Sequence, residues 1–180
     1  MPKALVVCQV NDTQSLEPLM EAVKSIDSEF DLLSVSSVYQ LPLQEGSRKR
    51  TPGQGTYSHQ LNVGISLEVV GEPKEVLEQI KEKEEELRLI WRTKFVHCSL
   101  SLYLVFLSNQ NMMLPSIYIP HPDFVYKKDW MLIGAELWPE FVHPILNEKL
   151  SIVARDSKIR SSDYFFAQGK KLLDFPLADS

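Results

Sequence analysis

The sequence has few of the residues that build disulfide-rich or zinc-binding domains. It contains two cysteines, Cys8 and Cys98, each within an apolar run, and it has no C-x-x-C pair. Its four histidines, His59, His97, His121 and His143, are scattered along the chain. We therefore expect reduced, buried thiols and neither a disulfide framework nor a zinc site.

Positive charge is also in deficit. Lysine and arginine together number 19 against 24 aspartates and glutamates, which gives a formal net charge of -5. This balance disfavours nucleic acid and anionic membranes as partners. No apolar run is long enough for a membrane span, and the opening segment "MPKALVVCQVND" lacks the cleavage site of a signal peptide. We expect a cytoplasmic protein without a membrane or nucleic-acid partner.

What is present is typical of a globular domain. The chain has 180 residues, of which 44% are apolar and 24% charged. This length suits one domain, residues 1–180, in which we expect 151–180 to form a C-terminal extension packed on the body.

The apolar pattern changes period several times along the chain. Buried or alternating runs predict strands, and stripes at helical spacing predict helices. The tail is predicted to contain one short strand, "KLSIVA" at 149–154. Residues 42–59 are predicted to form a long loop carrying Arg48, Lys49 and Arg50. The main elements, in chain order, are a strand at 3–10, a helix at 15–26, strands at 30–41 and 60–70, a helix from Pro73, and a strand at 97–106.

The predicted helix that begins at Pro73 has two sides. Its apolar stripe contains Val76, Leu77, Ile80, Leu87 and Ile90, while 81–86 is predicted to be a solvated charged face. The order strand, helix, strand, strand, helix, strand is that of a ferredoxin-like α+β fold, with an antiparallel sheet and helices packed on one face. We expect the strands at 30–41 and 60–70 to pair across the intervening loop.

The last of these strands, "HCSLSLYLVF", has an unusual polar side. Ser99 and Ser101 lie on the same face because side chains two residues apart in a strand point the same way. A solvated strand face usually carries charged residues, and here it carries two neutral hydroxyls.

Several segments in this order resemble one enzyme family. They are "SSVYQLP" at 36–42, "LNVGISLEV" at 61–69, the Ser-Leu-Ser strand, "IPHPDF" at 119–124 and "ELWPEFVHP" at 136–144. Together they resemble 6-hydroxymethyl-7,8-dihydropterin pyrophosphokinase (HPPK), a folate-pathway enzyme that transfers diphosphate from ATP to a pterin alcohol. The resemblance covers about residues 3–150 and implies a ferredoxin-like fold with ATP, Mg²⁺ and a pterin as ligands.

The resemblance also identifies what this sequence lacks. The family holds magnesium with an Asp-x-Asp pair, and those positions are Ser99 and Ser101 here, so we predict that no metal is bound there. Its Gly-Ser-Asn turn after the first strand is represented by "CQVND", which keeps only Asn11. Val96 stands where the family has an arginine, and "TKF" replaces a Trp-Gly-Pro. These departures predict impaired or lost catalysis, unless Asp123 or Glu68 supplies the missing carboxylates.

Other family positions are kept. The resemblance assigns Asn62, Trp130 and Pro42 to the pterin site, His121 and Lys128 to the nucleotide site, and Arg88 and Arg92 to catalysis as phosphate-binding arginines. Each also has an ordinary structural explanation in a core, a turn or a solvated helix end. Two functions follow: a pyrophosphokinase homologue with weakened transfer, or a non-catalytic pterin- or nucleotide-binding regulatory module on the same fold.

Overall fold

The computed structural model describes residues 2–11, 15–41 and 60–173. Its strands are β1 (Lys3–Asn11), β2 (Asp31–Gln40), β3 (Gln60–Glu68), β4 (Ser99–Leu107), β5 (Met112–Leu114), β6 (Ile117–Ile119) and β7 (Phe165–Ala167). Its α-helices are α1 (Glu17–Glu29), α2 (Pro73–Lys94), α3 (Lys128–Leu137), α4 (Leu150–Asp156) and α5 (Ser161–Tyr164). Two 3-10 turns lie at Pro122–Val125 and Gly169–Leu172. No helix in these described ranges is both long enough and apolar enough to cross a membrane.

Five strands form one antiparallel sheet in the order β4-β1-β3-β2-β7. The six main elements predicted from sequence are present in the predicted order, and the pairing of β2 with β3 is confirmed. The fold is therefore α+β and ferredoxin-like. The predicted loop at 42–59, with Arg48, Lys49 and Arg50, lies outside the described residues.

Helices α1 and α2 cover the first face of the sheet. Alternate β1 side chains, including Val6 and Cys8, pack there with the apolar stripes of both helices. The buried positions of α2 recur every three or four residues at Val76, Ile80, Lys83, Leu87 and Trp91. The prediction for Ile90 is wrong: it lies one helical step outside this stripe and is 47% exposed, while Trp91 is buried.

The prediction that 81–86 forms a solvated charged face is wrong at one residue. Lys83 lies within the buried stripe, because it is three residues from Ile80 and four from Leu87. Its ammonium group reaches Glu29 at the end of α1, with a distance of 2.8 Å between Nζ and Oε1. An ion pair between the two helices therefore allows a lysine to be buried at this position.

Helices α3 and α4 cover the second face, so helices lie on both sides of the sheet. Leu5 and Val7, which alternate with the residues of the first face, pack there. Helix α3 approaches β3 at Gly64, where an added Cβ would overlap Ile133 Cγ2. A glycine at this point lets the helix backbone come close to the sheet.

The predicted strand "KLSIVA" is wrong, because this segment begins α4. Leu150, Val153 and Ala154 are its buried residues, and their spacing of three and four matches a helix packed against α3. The β-branched residues of a short run gave a strand pattern that tertiary packing overrides.

The segment after β4, for which no element was predicted, contains a β5–β6 hairpin and a 3-10 turn. A cis peptide joins Ile119 to Pro120, and the His121 backbone N–H donates to Val105 O at 2.9 Å. In the tail, β7 pairs with β2, and Ala167 and Leu172 are buried in the first-face core.

Candidate functional site

Two rows of polar side chains cross the second face of the sheet. Cross-strand pairing places Asn11 beside both Ser99 and Gln60, and Gln9 beside both Ser101 and Asn62. Each row therefore begins at the edge strand β4 and ends on β3. Ser99 and Ser101 stand side by side at one end, as their spacing predicted.

The side chains of these rows form a network of uncharged groups. Asn11 Nδ2 donates to Ser99 Oγ at 3.2 Å, and Gln60 Nε2 donates to Asn11 Oδ1 at 3.0 Å. Asn62 Nδ2 makes a longer contact of 3.4 Å to Gln60 Oε1. Amides and hydroxyls can thus orient a polar ligand here, but the network carries no formal charge.

This donor set does not fit a magnesium ion. Mg²⁺ binds carboxylates and phosphates in octahedral geometry, whereas these rows offer hydroxyls and amides. Across residues 2–11, 15–41 and 60–173, no three side chains of His, Cys, Asp or Glu are grouped so that they could hold a metal. Glu68 cannot substitute, because it pairs with Lys3 at the far end of β3, six residues from Asn62 and so about 20 Å away. Asp123, the other carboxylate offered as a substitute, is instead in an ion pair with Lys127, with 3.9 Å between Oδ2 and Nζ.

A groove of about 390 Å³ runs along the outer edge of β4. Helix α2 forms one wall through Leu77, Lys81, Glu84 and Arg88, and β6 forms the other through Ile117–Ile119. Ser101, Tyr103 and His121 also line it. The groove therefore connects the serine end of the polar rows with the segment predicted to bind a nucleotide.

Arg88 and Glu84 bind the backbone of the edge strand inside this groove. Arg88 Nε donates to Leu100 O at 2.8 Å, and the Leu102 N–H donates to Glu84 Oε2 at 2.6 Å. The two side chains also contact each other, with Arg88 Nη2 3.3 Å from Glu84 Oε1. Two strand-edge groups that would otherwise face solvent or another chain are thereby satisfied. Arg88 Nη2 additionally lies 3.5 Å from Ser101 Oγ.

Four side chains form a cluster at the end of the groove. The ring centroids of Tyr103, His121 and Trp130 lie 5.1 to 5.7 Å apart, and Lys127 Nζ lies 4.5 Å from the Trp130 centroid. The Asp123 N–H donates to His121 Nδ1 at 3.1 Å, so the proton of the neutral ring sits on Nε2. Burial lowers the pKa of His121, which favours this neutral form.

The structure brings some of the predicted site residues together. His121 contacts Trp130, Arg88 reaches Ser101, and Asn62 ends the row that begins at Ser101. Trp130 is 0% exposed, so neither face of its indole is open for stacking in this conformation. The pterin-binding roles of Asn62 and Trp130 stay predictions.

The other predicted residues lie apart from this group or outside the described chain. Arg92 follows Arg88 by one turn of α2 and is exposed, and Lys128 is exposed at the first residue of α3. Within the described ranges, neither makes a hydrogen bond or ion pair to another predicted site residue. Pro42 lies outside the described residues.

Two buried polar residues of the site were not predicted. Gln9 lies within the predicted strand at 3–10, and Asp129 directly follows two lysines as the second residue of α3. Both side chains are buried, and Asp129 is only 1% exposed. Burial raises the pKa of Asp129 to about 6. The backbone N–H groups of residues 129 and 130, which are near the carboxylate but do not have hydrogen-bond geometry to it, and the charge of Lys127 only partly oppose this shift. A polar residue inside an apolar run was the available signal for Gln9.

The fold has been seen in solved structures of the bifunctional HPPK-DHPS protein of Plasmodium falciparum. The structure with pteroate aligns with a TM-score of 0.67 and 12% identity, over 90% of this chain and 43% of that chain. The structure with pterin and p-hydroxybenzoate aligns with a TM-score of 0.64 and 13% identity, over 90% and 44%. Comparison with protein-family models finds no match, and comparison with curated proteins finds none either.

At 12 to 13% identity, this likeness establishes the fold. The chain spans less than half the length of these HPPK-DHPS chains. Its activity and ligands must therefore be argued from its own residues.

Proposed function

We propose that this chain is an HPPK homologue that binds a pterin and in which magnesium-dependent diphosphate transfer from ATP is impaired or lost. The observation that carries the proposal is the neutral pair Ser99 and Ser101, which share one sheet face with the amides of Asn11 and Gln9. In the resemblance these two positions hold the magnesium carboxylates. The fold shared with proteins solved in complex with pterin and pteroate supports the pterin part.

The transfer chemistry explains why two serines matter so much. Moving a diphosphate concentrates negative charge between the attacking oxygen and the leaving nucleotide, and enzymes offset it with magnesium and cationic side chains. Hydroxyl groups do not replace two carboxylates as magnesium ligands. Arg88 is near the site but already contacts Glu84, Glu85 and Leu100 O.

The pterin part of the proposal rests on buried polar groups. Asn62 is fully buried on β3, and its Oδ1 has no hydrogen-bond partner among the residues that the structure describes. A buried acceptor without a donor is unfavourable, and a ligand bearing N–H groups would supply what is missing.

Calorimetry with 6-hydroxymethylpterin tests binding, in EDTA and in magnesium. We expect the same affinity in both buffers, because no metal site takes part. Affinity that requires magnesium would contradict the proposal, and so would no binding at all. Release of AMP from ATP, measured at high protein concentration with 6-hydroxymethyl-7,8-dihydropterin, should stay near background.

Restoring the carboxylates by Ser99→Asp with Ser101→Asp tests the cause of the loss. We expect magnesium binding to appear in the double variant, followed by AMP formation where the remaining machinery suffices. The matched control is Ser108→Asp, the same exchange at a partly exposed serine just beyond the end of β4. Fast AMP formation by the unmodified chain would overturn the proposal of impaired transfer.

A second candidate is a non-catalytic nucleotide-binding module. The groove along β4 favours it, since Lys81 places a positive charge on its wall and Arg88 and His121 place N–H donors there, beside the carboxylate of Glu84. ATP binding that persists in EDTA and is weakened by Lys81→Ala would support this function. ATP binding without pterin binding would make it the better description.

A further inference from the structure

Within residues 2–11, 15–41 and 60–173, four buried side chains on the second face of the sheet have polar atoms with no hydrogen-bond partner. They are Gln9 Oε1, Asn62 Oδ1, both carboxylate oxygens of Asp129, and Trp130 Nε1. Each residue is more than nine-tenths buried. Such groups are rare in folded proteins because each forfeits its hydrogen bonds to water. Their occurrence together on one face indicates a missing partner.

The packing of α3 on β3 places Asp129 over Asn62. Ile133 lies directly on Gly64, and further along, Trp138 Nε1 donates to Ser66 Oγ at 2.9 Å. The helix and strand therefore run in the same direction. Asp129 lies four residues before Ile133, about 6 Å back along the helix. Asn62 lies two residues before Gly64, about 7 Å back along the strand.

The neighbours of these residues agree with that register. Glu136, two turns after Asp129 on the same helix face, accepts a 2.8 Å hydrogen bond from the Ser37 N–H, and Ser37 lies between Val35 and Val38, the partners of Ile65 and Val63 on β3. Gln9 pairs with Asn62 across β1 and β3. This register brings Asp129 to the level of Asn62 and Gln9, between the start of α3 and the sheet.

The chemistry of the unpartnered atoms defines the missing partner. Two amide oxygens and one carboxylate accept hydrogen bonds, and the single indole N–H donates one. A partner must therefore carry several N–H donors and one acceptor. A carboxylate pairs best with two parallel N–H groups on a planar unit. The 2-amino-4-oxopyrimidine ring has such an N–H pair, with a carbonyl oxygen beside it.

We propose that Asp129 is a recognition residue for a 2-amino-4-oxopyrimidine ring, held between the start of α3 and β3 with Asn62 and Gln9 as further acceptors. This rests on the proposed pterin binding for the identity of the larger ligand. It goes beyond that proposal in naming which edge of the ring is bound and which residue binds it. The resemblance assigns no role to Asp129.

The test compares three probes: pterin, lumazine and isocytosine. Lumazine is pterin with the 2-amino group replaced by oxygen, and isocytosine is the 2-amino-4-oxopyrimidine ring alone. We expect pterin to bind at least tenfold more tightly than lumazine. Asp129→Asn should weaken pterin binding at least tenfold and remove this preference. Asp27→Asn, the same exchange at an exposed position of α1, should change neither affinity.

The outcomes separate this inference from the proposed function. Equal pterin affinity for the parent chain and Asp129→Asn would overturn the inference and leave pterin binding standing. Isocytosine binding that depends on Asp129, without pterin binding, would support the inference and contradict the proposed function. Binding of none of the three probes would overturn both. The pterin-to-lumazine ratio is measured on the unmodified chain, so it decides even where a variant fails to fold.

Discussion

The two faces of the sheet differ in how they treat buried polar groups, although both are built from the same strands. Gln9, Ser36, Asn62, Ser66, Asp129 and His143 are buried on the side of α3 and α4, whereas the side of α1 and α2 buries Lys83. Lys83 has a salt-bridge partner, whereas Gln9, Asn62 and Asp129 have atoms with no hydrogen-bond partner in the described part of the chain. One face is therefore built for stability, and the other carries the polar groups expected of a binding site.

The largest effect should follow from placing a charge on the first face. Cys8 is fully buried between β1 and the two helices, and burial raises the pKa of its thiol. Cys8→Asp would bury a carboxylate without a partner, so we expect a loss of about 3 to 5 kcal/mol in the free energy of unfolding. Urea unfolding followed by circular dichroism measures it.

The control for this variant is the next residue along β1. Gln9→Leu acts on the opposite face and removes an unpartnered oxygen, so we expect a change within about 1 kcal/mol. A Cys8→Asp protein with an unchanged urea midpoint would show that the first face admits water, and the contrast between the faces would fail.

A second variant disturbs the contact that positions α3 over the polar rows. A Cβ at Gly64 would overlap Ile133 Cγ2 and lie 3.0 Å from Leu137 Cδ1. Gly64→Ala should therefore lower the free energy of unfolding by about 1 to 3 kcal/mol. Because the α3–sheet spacing would change, ligand affinity should fall as well.

A double-mutant cycle isolates this contact. Ile133→Ala removes Cγ2 and leaves a cavity that a methyl group at position 64 partly fills. We expect the loss in the double variant to be smaller than the sum of the single losses by about 1 kcal/mol. Strictly additive losses would show that Gly64 does not set the approach of the helix.

A third variant tests the unpartnered carboxylate through its pH dependence. The pKa of Asp129 rises from 3.8 to about 6 on folding, so the folded protein binds this proton more tightly than the unfolded chain. The favourable contribution of this proton binding to the free energy of unfolding is fully present below about pH 4 and is lost as the pH rises through 6. Asp129→Asn removes that dependence.

We therefore expect Asp129→Asn to match the parent chain at pH 4 and to exceed it by about 1 to 3 kcal/mol at pH 8. Unfolding midpoints of the two proteins across this range measure the difference. An aspartate that stabilised the fold would give the opposite sign at pH 8. The expected gain in stability with loss of ligand binding is typical of a binding residue.

Sequence periodicity predicted much of this architecture. Alternation placed Ser99 and Ser101 on one face, and helical spacing identified most of the α2 stripe. These patterns are local, since each depends on the geometry of a single element. The helix at 150–156 was missed because a short run of β-branched residues fits both periods until its neighbour is known.

The remaining features depend on how elements dock. The inferred position of Asp129 over Asn62 follows from the packing of α3 on Gly64, and residues 67 positions apart cannot be paired by period. Lys83 is buried because Glu29 of another helix is within reach. The importance of Ser99 and Ser101 came from the resemblance, whereas Gln9 and Asp129 required the packed structure.

The smallest effect on stability should come from a substitution of Lys83. Lys83 is a buried charge with an ion-pair partner, in contrast to Asp129 on the other face of the sheet. Lys83 Nζ lies 2.8 Å from Glu29 Oε1, and Glu29 is 51% exposed, so water shares the partner carboxylate. Lys83→Met keeps the apolar stem and removes both the ion pair and the penalty of burying the ammonium group. We expect the free energy of unfolding to change by less than about 1 kcal/mol, measured by urea unfolding at low and at high salt. A gain as large as that of Asp129→Asn would show that the ion pair does not offset burial, and the difference between paired and unpaired charges would disappear. A loss above about 3 kcal/mol would instead mark Lys83 as a necessary link between α1 and α2.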